Sequence, residues 1–503
     1  MNNLHPFPAG SRRLWLVYAA LSLLAMLPSV PLWLQSPLVL TRFEFDYFLG
    51  AYEGERWSIG DPVDFGRAMH FALMLAIGLV YARIALRLWE AAPGSVSVRR
   101  VAAYGALLTL VYSLGMPWVS PDVFFYIGTG WLESHYGLNP YLVSMSKVPG
   151  ALTEPMFANV FPGFLAGTTG YGPVFQKLAA GVAAISLGSD KLALVIYKIV
   201  NGLLHGVASW LVYRLAPARM AVPALFLYAL NPVILFAIQT CAHNDHFMNV
   251  AVLATLMMLK QGRAMWAGVA LGVAFSTKYF ALIYLPIACL ALLIRPMDSR
   301  QQRLRAVLLL ILGFAAMAAL AHLLYPGSAD QFMRVASQGI GVFRNSLFHV
   351  MVALNFSLVI FELNWLDNYF SYARVANELK LAYVLGYSVL LAVYVRRLRE
   401  EWLMALAELC LLSTLLYFVL VNATNQEWYL TWLMGFACIT AGKAELALLL
   451  RFSTLFLPFV IFTVKGHVPA ILFSNVLLYA LVCYASLAYY LGQRRHFGVP
   501  WRS

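Results

Sequence analysis

Between Arg263 and Arg295 the chain reads AMWAGVALGVAFSTKYFALIYLPIACLALLI (264–294), 31 residues with a single charge, Lys278. Two full membrane crossings need about 40 residues. A stretch this apolar and this short, with an arginine at each end, reads as a tight hairpin that enters a bilayer and returns to the side it left. A lysine near membrane depth is costly and normally faces a partner or a cavity; the alternative is a side chain that snorkels to the interface. Outward from this hairpin the same grammar repeats. Apolar runs of about 17–25 residues alternate with Arg/Lys clusters, the signature of helical spans.

Composition agrees. Of 503 residues, 62% are hydrophobic and 11% charged, and the mean hydropathy is +0.74. A soluble domain carries about 25% charged residues, so this chain lacks the polar surface to cover itself in water. The expected fold class is an all-α polytopic membrane protein of about 12–14 transmembrane helices, with interfacial helices in its outward loops. It reads as a single integral-membrane domain over residues 1–503, without a separate soluble domain or internal repeat. The formal charge of +13 does not point to nucleic acid, because the basic residues sit at span ends, where they set orientation and meet lipid headgroups. Cys241, Cys289, Cys410, Cys438 and Cys483 are scattered in or beside apolar runs and suggest neither a disulfide framework nor a zinc site.

Placing the basic clusters in the cytoplasm threads the chain through spans near 14–34, 67–89, 101–118, 190–213, 220–239, 245–260, 306–325, 378–395, 402–421, 428–442, 446–463 and 470–491, with the 264–294 hairpin between. Both termini then lie inside. The first span, behind Arg12 and Arg13, reads as an uncleaved anchor. Three outward segments remain, near 35–66, 119–172 and 326–377. Residues 173–187 are apolar but short, and counting them as a crossing would flip Arg214 and Arg219 outward. They read as an interfacial or re-entrant helix.

Four polar constellations gather on or toward the outward side. Ser120-Pro121-Asp122-Val123-Phe124-Phe125-Tyr126 opens the second outward segment. Pro121 ends one span and starts a new helix, with Asp122 in its first turn. A carboxylate at a helix mouth can serve as general base; it can equally serve only to complement the helix dipole. His243-Asn244-Asp245-His246 stands at the outward start of a span, where polar groups bind an anion or a sugar hydroxyl, or merely cap the helix. Two His and an Asp can ligate metal, but neighbours on a helix point in different directions. Ser276-Thr277-Lys278-Tyr279 turns the hairpin, and its cation suits a lipid-linked phosphate. Arg344 is a second candidate phosphate ligand. Glu427-Trp428-Tyr429-Leu430-Thr431-Trp432 offers aromatic faces that anchor at an interface or stack on a sugar.

The order of these motifs resembles the GT-C superfamily of integral-membrane glycosyltransferases, in particular the bacterial polyprenol-phosphate-mannose-dependent α-mannosyltransferases. Ser120-Pro121-Asp122-Val123-Phe124-Phe125-Tyr126 is similar to their S-x-D-V-x-x-Y, and Gly137-Leu138-Asn139-Pro140-Tyr141 to their G-x-N/D-P-Y. Tyr171-Gly172-Pro173-Val174-Phe175 is similar to Y-G-P-L-F, His243-Asn244-Asp245 to H-N-D, and Thr277-Lys278 to the lysine of their small-residue hairpin. Glu427-Trp428-Tyr429-Leu430-Thr431-Trp432 is similar to P-W-Y-L-x-W, with Glu427 in place of proline. Three spans precede the aspartate loop, where the simplest members have one.

The resemblance implies a multi-pass protein of the bacterial inner membrane whose site faces the periplasm. It implies transfer of a hexose, mannose by preference, from a polyprenyl-phosphate sugar to a lipid-linked or glycan acceptor hydroxyl, with inversion. Carried onto this chain, Asp122 is the catalytic base. Beside it, Lys278, Arg344 and His243 are this reading's candidates to bind the donor phosphate, and Tyr126, Asn244, Asp245, Glu427 and Trp428 its candidates to meet sugar or acceptor. Beyond donor, acceptor and membrane lipids no partner is expected, and no cofactor, a divalent metal not being indicated. A multi-span lipid or solute transporter or flippase is the rival reading, although such proteins usually carry internal repeats and helices broken at the midplane.

Overall fold

The computed structural model describes residues 12–35, 62–90, 96–117, 120–296, 299–338, 372–422, 427–440 and six scattered positions from 442 to 454. Among these the protein is helical without strands, an all-α polytopic membrane protein. Six helices are long and apolar enough to cross a membrane, or seven if one bent pair counts as a span. The spans expected at 446–463 and 470–491 lie almost wholly outside the described residues, as does the outward segment near 35–66.

In chain order the principal helices are α1 (Arg12–Met26), α2 (Pro62–Trp89), α3 (Val98–Ser113), α4 (Asp122–Ser134), α5 (Pro173–Ile185), α6 (Asp190–Leu215), α7 (Ala221–Ala229), α8 (Asp245–Lys260), α9 (Ala264–Phe275), α10 (Tyr284–Ile294), α11 (Arg300–Leu323), α12 (Ser328–Gln338), α13 (Tyr372–Glu400), α14 (Trp402–Leu420) and α15 (Thr431–Thr440). Local chemistry places many of their starts. Pro173 opens α5, Ser189 caps α6 through the Leu192 amide, and Ser299 with Gln302 forms a capping box on α11, each satisfying amides that a helix start leaves unpaired.

The hairpin forms as its length requires. α9 and α10 are joined by the turn at Ser276–Lys278 and a short 3-10 stretch, Tyr279–Ile283. α9 lies hard against α11. A Cβ on Gly268 would stand 2.0 Å from the Leu310 carbonyl oxygen, one on Gly272 2.7 Å from Met317 Cβ, and one on Gly313 2.2 Å from the Met265 oxygen. Glycines four apart let the two backbones touch, the usual way helices associate in lipid. α5 has 13 residues, about 20 Å at 1.5 Å per residue, which is short of the hydrocarbon core.

The span expected at 220–239 is broken. α7 stops at Ala229, and the Pro232–Thr240 segment continues at an angle of 42°. Asn231 supplies the cause: its Oδ1 accepts from the Val233 and Ile234 amides and starts a new helix at Pro232, which cannot continue the old one. That piece ends in a π-turn, Phe236–Thr240, followed by Ala242 in the left-handed region at φ 53°. Such π-turns often mark functional sites.

One end of the bundle is basic. Lys260 Nζ donates to the Arg214 carbonyl at 2.6 Å, Arg295 Nη1 to the Leu259 carbonyl at 2.7 Å, and Trp402 Nε1 to the Ala291 carbonyl at 2.7 Å. Arg397 pairs with buried Glu408. The ends of α6, α8, α10 and α13 are thus gathered together with their cations. The opposite end of α8, 16 residues away or about 24 Å, carries the residues that follow.

Candidate active site

The site is built around the turn Ala242–Asp245. The left-handed step at Ala242 and the π-turn before it swing three successive side chains toward three different parts of the chain. His243 stacks on the Trp428 indole, centroids 4.0 Å apart and planes within 19°, with its Nδ1 3.8 Å from Asp122 Oδ2. Asn244 Oδ1 accepts from the Tyr126 hydroxyl at 3.3 Å. Asp245 Oδ1 accepts from Lys278 Nζ at 2.5 Å and from Trp432 Nε1 at 2.5 Å. The divergence expected of adjacent residues is real, and it is what joins four distant motifs.

Asp122 is the first residue of α4, behind an N-cap, Pro121, whose side chain caps nothing. Its amide donates to Ser120 Oγ at 3.3 Å. Burial pushes its carboxyl up to about 6. Hydrogen bonding to Ser120 and the positive charge of Lys278 oppose that rise, the Asp245 charge adds to it, and hydrogen bonding to Tyr171 opposes it. Burial, helped by Lys278, lowers the proton affinity of His243 well below the ordinary imidazole value. His243 is therefore neutral, and its 3.8 Å approach to Asp122 is not a charged pair. Both of its ring nitrogens lack a hydrogen-bond partner within the protein.

Lys278 projects from the hairpin turn. Besides Asp245 it faces two rings, with Nζ 4.5 Å from the Tyr429 centroid and 5.0 Å from that of Trp432, a favourable cation–π arrangement. One of its three N–H donors is committed to Asp245, which leaves the others for an incoming anion. About a fifth of the Asp122 side chain and 16% of that of Lys278 are exposed, against 1% for His243 and Asp245. Tyr126 and Asn244 are also buried. Of the expected site residues with described side chains, Asp122 and Lys278 are the most open to a ligand, while the buried ones hold them in place.

The remaining motifs explain themselves as scaffold. The Gly172 amide donates to the Thr277 carbonyl at 3.0 Å and the Val174 amide to the Ser276 carbonyl at 2.8 Å. A Cβ on Gly172 would stand 2.2 Å from the Ser276 oxygen, so this contact demands glycine. Asn139 Nδ2 donates to the Pro326 carbonyl at 2.9 Å, and the Tyr141 hydroxyl to the Tyr171 carbonyl at 2.7 Å. Residues 172–174 thereby fasten the end of the aspartate loop to the Lys278 hairpin, and the segment 137–141 ties that loop to Tyr171 and to Pro326. Tyr171 meets Tyr126 edge-on at 4.9 Å.

Arg344 and the Glu427 side chain lie outside what the structure describes. Sequence reasoning placed Tyr171, Tyr429 and Trp432 inside motifs without giving them a role. It passed over Lys198, although an ionisable residue within a span is itself a signal. Among the described residues no three His, Cys, Asp or Glu side chains converge as metal ligands.

Residues 54–294 match the family profile described as alpha-(1->6)-mannopyranosyltransferase, N-terminal domain. The resemblance to α-mannosyltransferases holds there. The chain is also 28% identical over 232 residues to alpha-(1->6)-mannopyranosyltransferase A of Mycobacterium tuberculosis, a match covering 45% of this chain and 42% of that relative. It thus spans less than half the length of the curated relative. Asp122, the 243–245 turn and Lys278 fall inside the matched segment, and Trp428 and Trp432 fall beyond it.

Proposed function

We propose that the protein is a glycosyltransferase that moves a hexose, mannose by preference, from a polyprenyl-phosphate sugar to an acceptor hydroxyl, at the membrane face opposite its basic end. The observation that carries this reading is the pairing in one site of a partly exposed carboxylate, its proton affinity raised by burial, with a partly exposed cation held by a second carboxylate. Both come from motifs in the order seen in α-mannosyltransferases. The positive-inside tendency then puts the basic end and both termini in the cytoplasm and the site outside.

In this mechanism Asp122 accepts the proton of the acceptor hydroxyl as that oxygen attacks the anomeric carbon. The bond from that carbon to the phosphate oxygen breaks on the opposite face, so the configuration inverts. The departing polyprenyl phosphate gains one negative charge. Lys278 offsets it, a charge-assisted contact that strengthens as the bond breaks. Neutral His243 offers an N–H to the same phosphate, and Trp428, stacked beneath it, fixes its ring. Asp245 keeps Lys278 from wandering, while Tyr126 and Asn244 set the wall beside the sugar. Arg344 for the phosphate and Glu427 for the acceptor are the further candidates that the sequence offers. The proton then leaves Asp122 for the water outside. In this mechanism Lys278 supplies the charge compensation, so the rate is expected to be unchanged when divalent ions are chelated.

Proteoliposomes separate this reading from transport. With radiolabelled polyprenyl-phosphate mannose in the bilayer and extracted membrane glycolipid as acceptor, a transferase consumes donor and labels acceptor without moving entrapped solute or flipping lipid. A preparation that moves lipid or solute and leaves the donor intact would overturn the proposal.

A further inference from the structure

Lys198 lies within α6, away from the ligand-facing residues, and is 4% exposed. Its Nζ donates to the Gly115 carbonyl at 2.7 Å, the Gln239 carbonyl at 2.6 Å and the Thr240 carbonyl at 3.0 Å. An ammonium has three donors, and all three are used. The acceptors are not arbitrary. Gly115 follows the end of α3, where carbonyls have no helical partner and the dipole is negative, and seven residues later the same strand of chain delivers Asp122. Gln239 and Thr240 close the π-turn, and three residues later that chain delivers His243.

The neighbourhood reinforces the joint. Gln239 Nε2 donates to Ser113 Oγ at 2.7 Å, and Thr240 Oγ1 to the Tyr112 carbonyl at 3.0 Å. Trp33 Nε1 donates to the Leu114 carbonyl at 2.6 Å. Gly115 is closely packed at this joint: a Cβ there would stand 2.5 Å from Met26 Sδ and 2.7 Å from Thr240 Cγ2, so a larger residue must displace one of them or the backbone.

We propose that Lys198 is a positioning residue: it ties the end of α3 to the π-turn, the two places from which the chain runs on to Asp122 and His243, and so sets the distance between the carboxylate and the neutral imidazole. A lysine buried among helices is expensive. Simple helix packing would be served as well by an apolar side chain, whereas bridging the ends of two separate segments requires a donor to three carbonyls at once.

The inference rests on Asp122 being the reactive acid, so the test uses a readout that needs no substrate. In nanodiscs, the carboxyl of Asp122 is followed by infrared difference spectroscopy between the wild type and Asp122→Asn across pH. The groups facing it are Ser120, Tyr171, His243, Asp245 and Lys278. Lys198→Gln, which keeps two donors but no charge, is expected to loosen the joint, admit water and lower the midpoint by about half a pH unit or more. Transfer, where it is measurable, falls at least about tenfold in kcat with donor KM little changed.

Gly115→Ala displaces the same carbonyl without touching Lys198 and is expected to shift the midpoint in the same direction. It decides the matter if Lys198→Gln does not fold. A folded Lys198→Gln or Gly115→Ala whose Asp122 titration matches the wild type overturns the inference, whatever its thermal stability. A shifted midpoint in a protein that proves to have no transferase activity leaves the positioning role standing and sinks the proposed function instead.

Discussion

Asp122 and Asp245 occupy the same local position, the first residue of a helix, and the two regions around them use it in opposite ways. Asp245 is closed in: a lysine and an indole donate to one of its oxygens, and 1% of its side chain is exposed. Asp122 is left about one-fifth open beside a neutral imidazole, with its proton affinity raised by burial. One carboxylate is spent on holding a cation and the other is kept free for a proton. The helix start does not make the difference. What stands across from it does, and that is decided by segments from 33 to 187 residues away for Asp245 and by His243 and Lys278, far along the chain, for Asp122.

Breaking the closed side should cost most in stability. Asp245→Asn leaves Lys278 without its counter-charge, and removing one member of a buried pair typically costs about 3–5 kcal/mol. The thermal midpoint in nanodiscs should drop sharply, and transfer should fall as Lys278 swings free. A midpoint unchanged from wild type would mean that the pair is not structural.

The open side should behave in reverse. Asp122→Asn should leave the midpoint near the wild-type value and remove a general-base contribution of about a hundred- to ten-thousandfold. Lys278→Met separates the two carboxylates further. The rate should rise with pH through about 6 in the wild type as Asp122 loses its proton. Lys278 favours the charged carboxylate, so its removal moves that acid limb upward. Asp245 opposes ionisation, so Asp245→Asn moves the limb downward, as far as the folded fraction allows. Limbs that fail to move in opposite directions would show that the charges are not coupled to Asp122.

A smaller loss is expected from Trp428→Ala. It removes a stacking contact worth about 1 kcal/mol and should lower kcat severalfold with His243 left less ordered. An unchanged kcat in a stable variant would remove Trp428 from the site.

Much of the fold was legible because it follows from counting. The 31 residues between Arg263 and Arg295 cannot make two full crossings, and they do not. α8 begins and ends where its polar start and Lys260 place it. The break after Ala229 was also written in the chain, since Asn231-Pro232 is a helix stop and start, but hydropathy averages over it. The site was legible as a set of motifs and not as a geometry. Nothing near His243 announces Trp428, and nothing near Lys278 announces that Asp245 will hold it. Lys198 was passed over because its function lies in three backbone carbonyls, which no side-chain pattern records.

The most direct test is single-turnover transfer by purified wild type and Asp122→Asn, with equal folded fractions and equal donor occupancy confirmed by binding of polyprenyl phosphate. The account predicts labelled product from the wild type and a rate at least about a hundredfold lower from Asp122→Asn, with donor binding preserved. Near-normal turnover by Asp122→Asn would contradict it and return that aspartate to the role of an ordinary helix start.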